Sequence, residues 1–213
     1  MSRNRNNLTL AAVGLALAAG AAHAQPVTQD LGGGWSVTIF NPEAVSVTSL
    51  GVFGNQLILT KVATVFGTTD EGIPTPIVLQ FSQNAPNAST APQIGIAFEN
   101  ITNQSGVDWT SYTQALLMSS RVTFNQAASA AFATAPYTTT TYNDAVAATE
   151  VTYSGGTVFN GQTWNAGGGN PVVIDVALGQ TPTVFTLKEI PLPTPGSAAI
   201  IGIAGLVAAR RKR

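Results

Sequence analysis

Few side chains in this chain of 213 residues could do covalent or acid–base chemistry. His23 is the single histidine and there is no cysteine. His23 lies in the apolar N-terminal leader, so a Ser-His-Asp triad has no imidazole to use in the body, and a thiol nucleophile is absent. Disulfides and zinc sites of the Cys/His kind are excluded with it. Lys61 and Lys188 could in principle activate a serine, but neither sits at Ser-x-x-Lys spacing. Gly32-Gly33-Gly34 lacks the lysine and helix of a phosphate loop, and predicts a turn before a strand that starts at Trp35. Asp70-Glu71 offers oxygens to calcium. It lacks acid-rich loop spacing, which favours a solvated turn. Two carboxylates suffice for glycoside hydrolysis. With ten acids in the chain such pairs arise by chance, and no pattern selects one. No cofactor or metal is expected.

The aromatic residues offer a second kind of chemistry. Trp35, Trp109 and Trp164 could stack on sugar rings, and Trp109 and Tyr112 stand near Glu99, Asn103 and Asp108. A glycan contact through Trp109, Tyr112 and Trp164 is one reading. Core packing is the other and is favoured, because large aromatics usually supply burial. The segment Ile94–Ile101, a turn at Asn103–Gly106 and a return from Trp109 together predict a hairpin. Trp109 then fills the core, while Tyr112, three positions on, lies on the opposite face.

These residues sit in a chain patterned for strands. Val37 and Ile39 alternate with Ser36 and Thr38; Ile77, Leu79 and Phe81 with Val78, Gln80 and Ser82; Ile94, Ile96 and Phe98 with Gln93, Gly95 and Ala97; Val172, Ile174 and Val176 with Val173, Asp175 and Ala177. Period two marks half-buried strands. Gln56–Val65 and Trp109–Met118 are further β-rich runs. Gly-, Asn-, Pro- and Ser-rich stretches punctuate them, and Ser154-Gly155-Gly156 with Asn160-Gly161 predict successive tight turns. Gln126–Ala135 is Ala-rich and predicts a short helix ended by Pro136. Thr138–Thr141 predicts an exposed loop or edge. The fold class expected is all-β: an antiparallel β-sandwich, with a jelly roll as one arrangement, carrying a C-terminal hydrophobic helix.

Both ends differ from the body in composition. Arg3 and Arg5 precede an apolar run from Leu8 to Ala22, and Ala22-His23-Ala24 gives a small-x-small exit with cleavage before Gln25. That order predicts a secretory signal peptide over residues 1–24, removed by signal peptidase. At the other end, Ile190-Pro191-Leu192-Pro193-Thr194-Pro195-Gly196 predicts a stiff hinge through which no helix or strand runs. Ser197–Ala209 is uncharged, and Arg210-Arg211-Lys212-Arg213 closes the chain. As a helix the apolar segment would be about 20 Å long. A hydrocarbon core of roughly 30 Å wants about 20 apolar residues. It crosses only if the basic stems snorkel, with the basic cluster held in the cytoplasm.

Motif, hydrophobic segment and basic cluster in that order resemble the PEP-CTERM sorting signal of exported bacterial proteins. Pro193-Thr194-Pro195 stands where the usual motif has glutamate in the middle. The resemblance covers residues 190–213. It implies transient inner-membrane anchoring and recognition by an exosortase-like sorting protease near Pro193, Thr194, Pro195 and Gly196, with Arg210, Arg211, Lys212 and Arg213 as the basic end. The stretch Glu99–Tyr112 is similar to a segment that recurs in the sandwich bodies of those proteins.

Between the two ends lies a body over residues 25–189. From Gln25 to Leu192 the cations are Lys61, Arg121 and Lys188 against ten acids, a net charge of minus seven. Such a surface disfavours nucleic acid. The expected function is a non-catalytic protein exported to the cell surface or extracellular matrix, with extracellular polysaccharide as a partner class. A carbohydrate-binding module of the cell surface is the alternative, and an acidic-pair glycoside hydrolase the second alternative.

Overall fold

The computed structural model describes residues 24–69 and 72–193. The described residues form thirteen strands: β1 (Val27–Gly32), β2 (Trp35–Ile39), β3 (Val45–Phe53), β4 (Gln56–Phe66), β5 (Ile77–Gln83), β6 (Gln93–Gln104), β7 (Trp109–Leu117), β8 (Val122–Phe124), β9 (Thr139–Tyr142), β10 (Glu150–Val158), β11 (Thr163–Ala166), β12 (Val172–Val176) and β13 (Val184–Pro193). One sheet runs in the order β1-β2-β5-β13-β7-β10-β9. The other runs β3-β4-β6-β12-β8, with β11 also paired to β6. The fold is all-β and sandwich-like, as the alternating patterns predict.

Period two explains which side chains meet between the sheets. Trp35, Val37 and Ile39 of β2, Ile77, Leu79 and Phe81 of β5, and Phe185 and Leu187 of β13 are buried on the first sheet. Leu57, Leu59, Ala63 and Val65 of β4, Ile94 and Ile96 of β6, and Val172, Ile174 and Val176 of β12 are buried on the second. Phe185 stacks on Phe81 at 5.1 Å between ring centroids and meets Trp35 edge-on at 6.0 Å.

The expected purely antiparallel arrangement is corrected in one place, because β4 and β6 run parallel. A parallel pair needs a crossover. Here the chain leaves β4, forms β5 in the opposite sheet, and returns to β6.

Three local expectations are also corrected. β6 and β7 do not form a hairpin, since β6 pairs with β4, β11 and β12 while β7 pairs with β13 and β10. The turn at Ser105–Asp108 instead carries the chain from one sheet to the other. Ser154-Gly155-Gly156 lies inside β10 at a register break rather than in a tight turn, and the Asn160-Gly161 turn again switches sheets, from β10 to β11. Gln126–Ala131 forms consecutive turns and no helix. The Asn125 side chain accepts from the Ala128 N–H at 2.9 Å and starts these turns. Thr139–Tyr142 is the edge strand β9. The expected C-terminal helix lies outside the described residues.

The proline hinge differs as well. β13 continues through Pro191 to Pro193, pairing Pro191 with Tyr112 and Pro193 with Trp109. Beyond Glu189 the strand has lost its other neighbour, because β5 pairs only Val184–Glu189. The two prolines, spaced by two, turn their donor-less nitrogens toward that open side, where prolines are tolerated in sheets.

Two β-bulges set which residues face inward. In β6 the register steps from Leu59↔Ile96 to Thr60↔Phe98, leaving Ala97 unpaired. An extra residue flips the alternation. Phe98 therefore turns outward, 41 % exposed, and Glu99, Ile101 and Asn103 turn in. In β7 the step from Ser111 to Trp109 opposite Leu192 and Pro193 leaves Thr110 extra. That bulge corrects the expected placement of Tyr112: it shares the inward face with Trp109, their ring centroids 6.3 Å apart.

The Ala97 bulge is clamped from outside by the glycine turn between β11 and β12. Gly169 donates its N–H to the Ala97 carbonyl at 3.1 Å. Gly167 has φ of +89°, and a Cβ there would stand 2.2 Å from the Ala97 carbonyl oxygen. Gly54 has φ of +64° but open space around it. Gly167→Ala is expected to lower the unfolding free energy by roughly 3 kcal/mol or more, backbone strain and the clash adding. Gly54→Ala, with strain alone, should cost about 1 kcal/mol. Urea unfolding of the two variants checks the difference; equal losses would show that the contact with Ala97 adds nothing.

Candidate functional site

Inward-facing positions of a sandwich are normally apolar, and five strands of this one break that rule at one spot. Lys61 occupies the inward position of β4 between Leu59 and Ala63. Glu99 stands beside it on β6, turned in by the Ala97 bulge. Across the gap Glu189 takes the inward position of β13 after Phe185 and Leu187, and Gln114 is its register partner on β7. Tyr112 of β7 and its register partner Tyr153 of β10 complete the group. All six are at most 1 % exposed.

Hydrogen bonds join these groups into one network. The Lys61 ammonium donates to Oε1 of Glu99 at 3.1 Å and also to Oε1 of Glu189. Gln114 Nε2 donates to Oε1 of Glu99 at 2.8 Å and to Oε1 of Glu189 at 3.1 Å. The Tyr112 hydroxyl donates to Oε2 of Glu189 at 2.8 Å, and the Tyr153 hydroxyl to Oε1 of Gln114 at 3.1 Å. One atom is left over: Oε2 of Glu99 is buried and has no hydrogen-bond partner. Aromatic rings close off the site, with Tyr112 and Trp164 at 4.6 Å and Tyr153 and Trp164 at 5.6 Å between centroids.

Burial without full pairing shifts proton affinity. Desolvation raises the Glu99 carboxyl to about 7 from an ordinary 4.5, with Lys61 opposing the rise and Glu189 adding to it. Burial alone would lower the Lys61 ammonium, but the Glu189 and Glu99 carboxylates outweigh it and hold Lys61 above its ordinary value. The hydroxyls of Tyr112 and Tyr153 are pushed up by burial and then by the neighbouring carboxylates. The arrangement can therefore hold and pass a proton at Glu99 beside a lysine amine and a second carboxyl group, in a space closed to water.

The sequence-predicted site residues fall elsewhere or take other roles. Trp109, Tyr112 and Trp164 are 0 %, 0 % and 1 % exposed, and Trp35 is 0 %. A glycan contact through their rings is corrected to core packing, and each indole N–H is already bonded: Trp35 to the Ala91 carbonyl at 2.8 Å, Trp109 to Ser105 Oγ at 3.0 Å, Trp164 to the Thr134 carbonyl at 3.1 Å. Asn103 is a turn organiser. Its Nδ2 donates to the carbonyls of Val107 and Val158, and its Oδ1 accepts from the backbone N–H and hydroxyl of Ser105. Asp108 accepts the Asn160 N–H at 2.8 Å. Of the sugar-platform residues, only Glu99 and Tyr112 belong to the buried network.

Ala24 and Gln25 are exposed and precede β1 without regular structure. Pro193 ends β13. Ala22, Asp70, Glu71, Thr194, Pro195, Gly196 and Arg210, Arg211, Lys212 and Arg213 lie outside the described residues. Among the described residues no helix is long and apolar enough to cross a membrane, and no three His, Cys, Asp or Glu side chains gather as metal ligands. A surface cleft of about 530 Å³ lies between Gln83–Asn87 and Gly179–Pro182, with no charged group in its lining. No protein-family model, curated protein or solved structure matches this chain.

The sequence reading missed Lys61, Gln114 and Glu189 as a group. The signal was present, since each continues a period-two apolar face: Leu57, Leu59, Lys61, Ala63; Tyr112, Gln114, Leu116; Phe185, Leu187, Glu189. Glu99 carries no such signal, because its inward direction depends on the Ala97 bulge.

A carboxyl group held above its unfolded value keeps its proton in the fold where the unfolded chain has lost it. Stability therefore falls as pH rises between about 4.5 and about 7. Glu99→Gln, a neutral stand-in for the protonated acid, is expected to remove that part of the slope. Urea unfolding of both proteins across that range measures it, and parallel curves would refute the assignment. Lys61→Met strands the two carboxyl groups and should cost roughly 3–5 kcal/mol near neutral pH, less in acid.

Proposed function

We propose that this is a non-catalytic protein exported to the cell surface or extracellular matrix, sorted through a C-terminal signal of the PEP-CTERM kind. The observation that carries the reading is the pair of terminal segments. An arginine-led apolar leader with an Ala-x-Ala exit stands at one end, and a proline motif, an uncharged segment and four cations stand at the other. Between them is a body of net charge minus seven without histidine or cysteine. Exposed Ala24 and Gln25, ahead of β1, are compatible with access for a signal peptidase. At the other end β13 delivers the chain to Pro193 at the sandwich boundary, next to the segment a sorting protease would recognise. The membrane is then a transient anchor and extracellular polysaccharide a partner class.

The alternatives have less support. A carbohydrate-binding module would need aromatic faces in solvent, and the four rings that suggested it are buried. An acidic-pair hydrolase would need a pair open to substrate. Glu99 and Glu189 do come together, but they are enclosed and tied to Lys61 and Gln114.

Mass spectrometry of envelope and medium fractions from the native host tests the reading. The expected product begins at Gln25 and lacks Arg210–Arg213. A chain recovered from the cytosol with both ends uncut would overturn it.

A further inference from the structure

We infer that the buried network is a self-modification site, at which Lys61 and Glu189 condense to an amide that covalently joins the two sheets. The reacting groups are already placed. Lys61 Nζ touches Oε1 of Glu189, one bond from the carboxyl carbon. Glu99 touches the same amine through its Oε1, and its Oε2 stands buried without a partner. Tyr112 donates to Oε2 of Glu189 at 2.8 Å, where negative charge would gather during attack. Gln114 holds the two carboxyl groups on either side of the amine.

The chemistry balances without a co-reactant. Glu99 takes a proton from the Lys61 ammonium, freeing the nitrogen lone pair. The lone pair attacks Cδ of Glu189, and the tetrahedral oxyanion forms on Oε2 beside the Tyr112 hydroxyl. The Nζ–Cδ bond forms in that attack, and the Cδ–Oε1 bond breaks afterwards, as the intermediate collapses. Oε1 leaves with two protons that began on the nitrogen, relayed by Glu99, so an ammonium and a carboxylate become one amide and one water. Nothing is oxidised or reduced. Glu99 suits the relay because burial raises it to about 7, where it can accept and return a proton near neutrality.

Three features of the structure favour the amide over the ion pair. Fixed neighbours in a rigid core react as if at very high concentration. Condensation replaces buried charges, which are costly, by a neutral group and releases water from a closed aromatic site. The chain also has no cysteine with which to cross-link its sheets. The bond would tie β4 of one sheet to β13 of the other, 128 positions apart in sequence.

The test is the mass of the purified full chain, with peptide mapping after digestion. The expected result is a protein lighter than its sequence by one water, a branched peptide joining Lys61 to Glu189, and no tryptic cut after Lys61 in the unfolded protein. Glu99→Gln, folded by circular dichroism, should keep the full mass, and so should Lys61→Met. A wild-type protein at full sequence mass would overturn the inference whether or not the variants fold. Loss of one ammonia instead, with the branch at Gln114, would overturn the assignment of Glu189, and a water loss that persists in Lys61→Met would overturn the bond.

Discussion

A cation placed in the dry gap between two sheets is the constraint on which this structure turns. Lys61 cannot reach solvent from the inward face of β4, so the fold must bring acceptors to it. One comes from the same sheet and one from the opposite sheet. The interaction is thus a register device as well as an attraction. Sliding β13 by one residue against β7 would point Glu189 outward and leave Lys61 facing Lys188 or Ile190. Apolar packing tolerates such slips better, since one aliphatic side chain can stand in for another. A buried ion set does not, because an unmatched charge in the core costs more than the match returns.

The bulges make this possible. Without Ala97 as an extra residue, β6 would present Phe98 to the core and Glu99 to water. The exposed Phe98 is therefore the counterpart of the buried Glu99: one bulge reverses both. The Thr110 bulge works the same way on the other sheet, turning Trp109 onto the inward face that Tyr112 and Gln114 share with Glu189. The insertion in β6 brings Glu99 into the polar cluster, and the one in β7 seats Trp109 beside it.

This also explains what the sequence made legible. Strands with unbroken alternation, such as β2, β5 and β12, are readable because each residue's direction follows from its neighbour's. The outward Phe98, the inward Glu99 and the shared face of Trp109 and Tyr112 were not, because a bulge breaks that inference without a sequence marker of its own. The hairpin expected over Ile94–Tyr112 failed for a related reason. A Gly- and Asn-bearing turn signals reversal, but a reversal into the opposite sheet looks the same in sequence as one within a sheet. Lys61 and Glu189 were legible in principle, each a charge at an apolar position of a clean alternation, but an isolated charge in a strand does not name its partner. The partner lies 128 positions away, across the sandwich.

Glu189 also sets how β13 resists a pull along its own direction. β13 is the last described strand and lies between β5 and β7 in the first sheet. A pull on the segment after Pro193 runs along β13, so it must shear two ladders together rather than unzip one from an edge. Lys61 then acts as a stop, gripping the strand from the other sheet near the point where β5 pairing ends. An edge strand in the same place would peel residue by residue. A central strand bonded on both sides and clamped through its carboxyl group transfers the load to the whole sandwich.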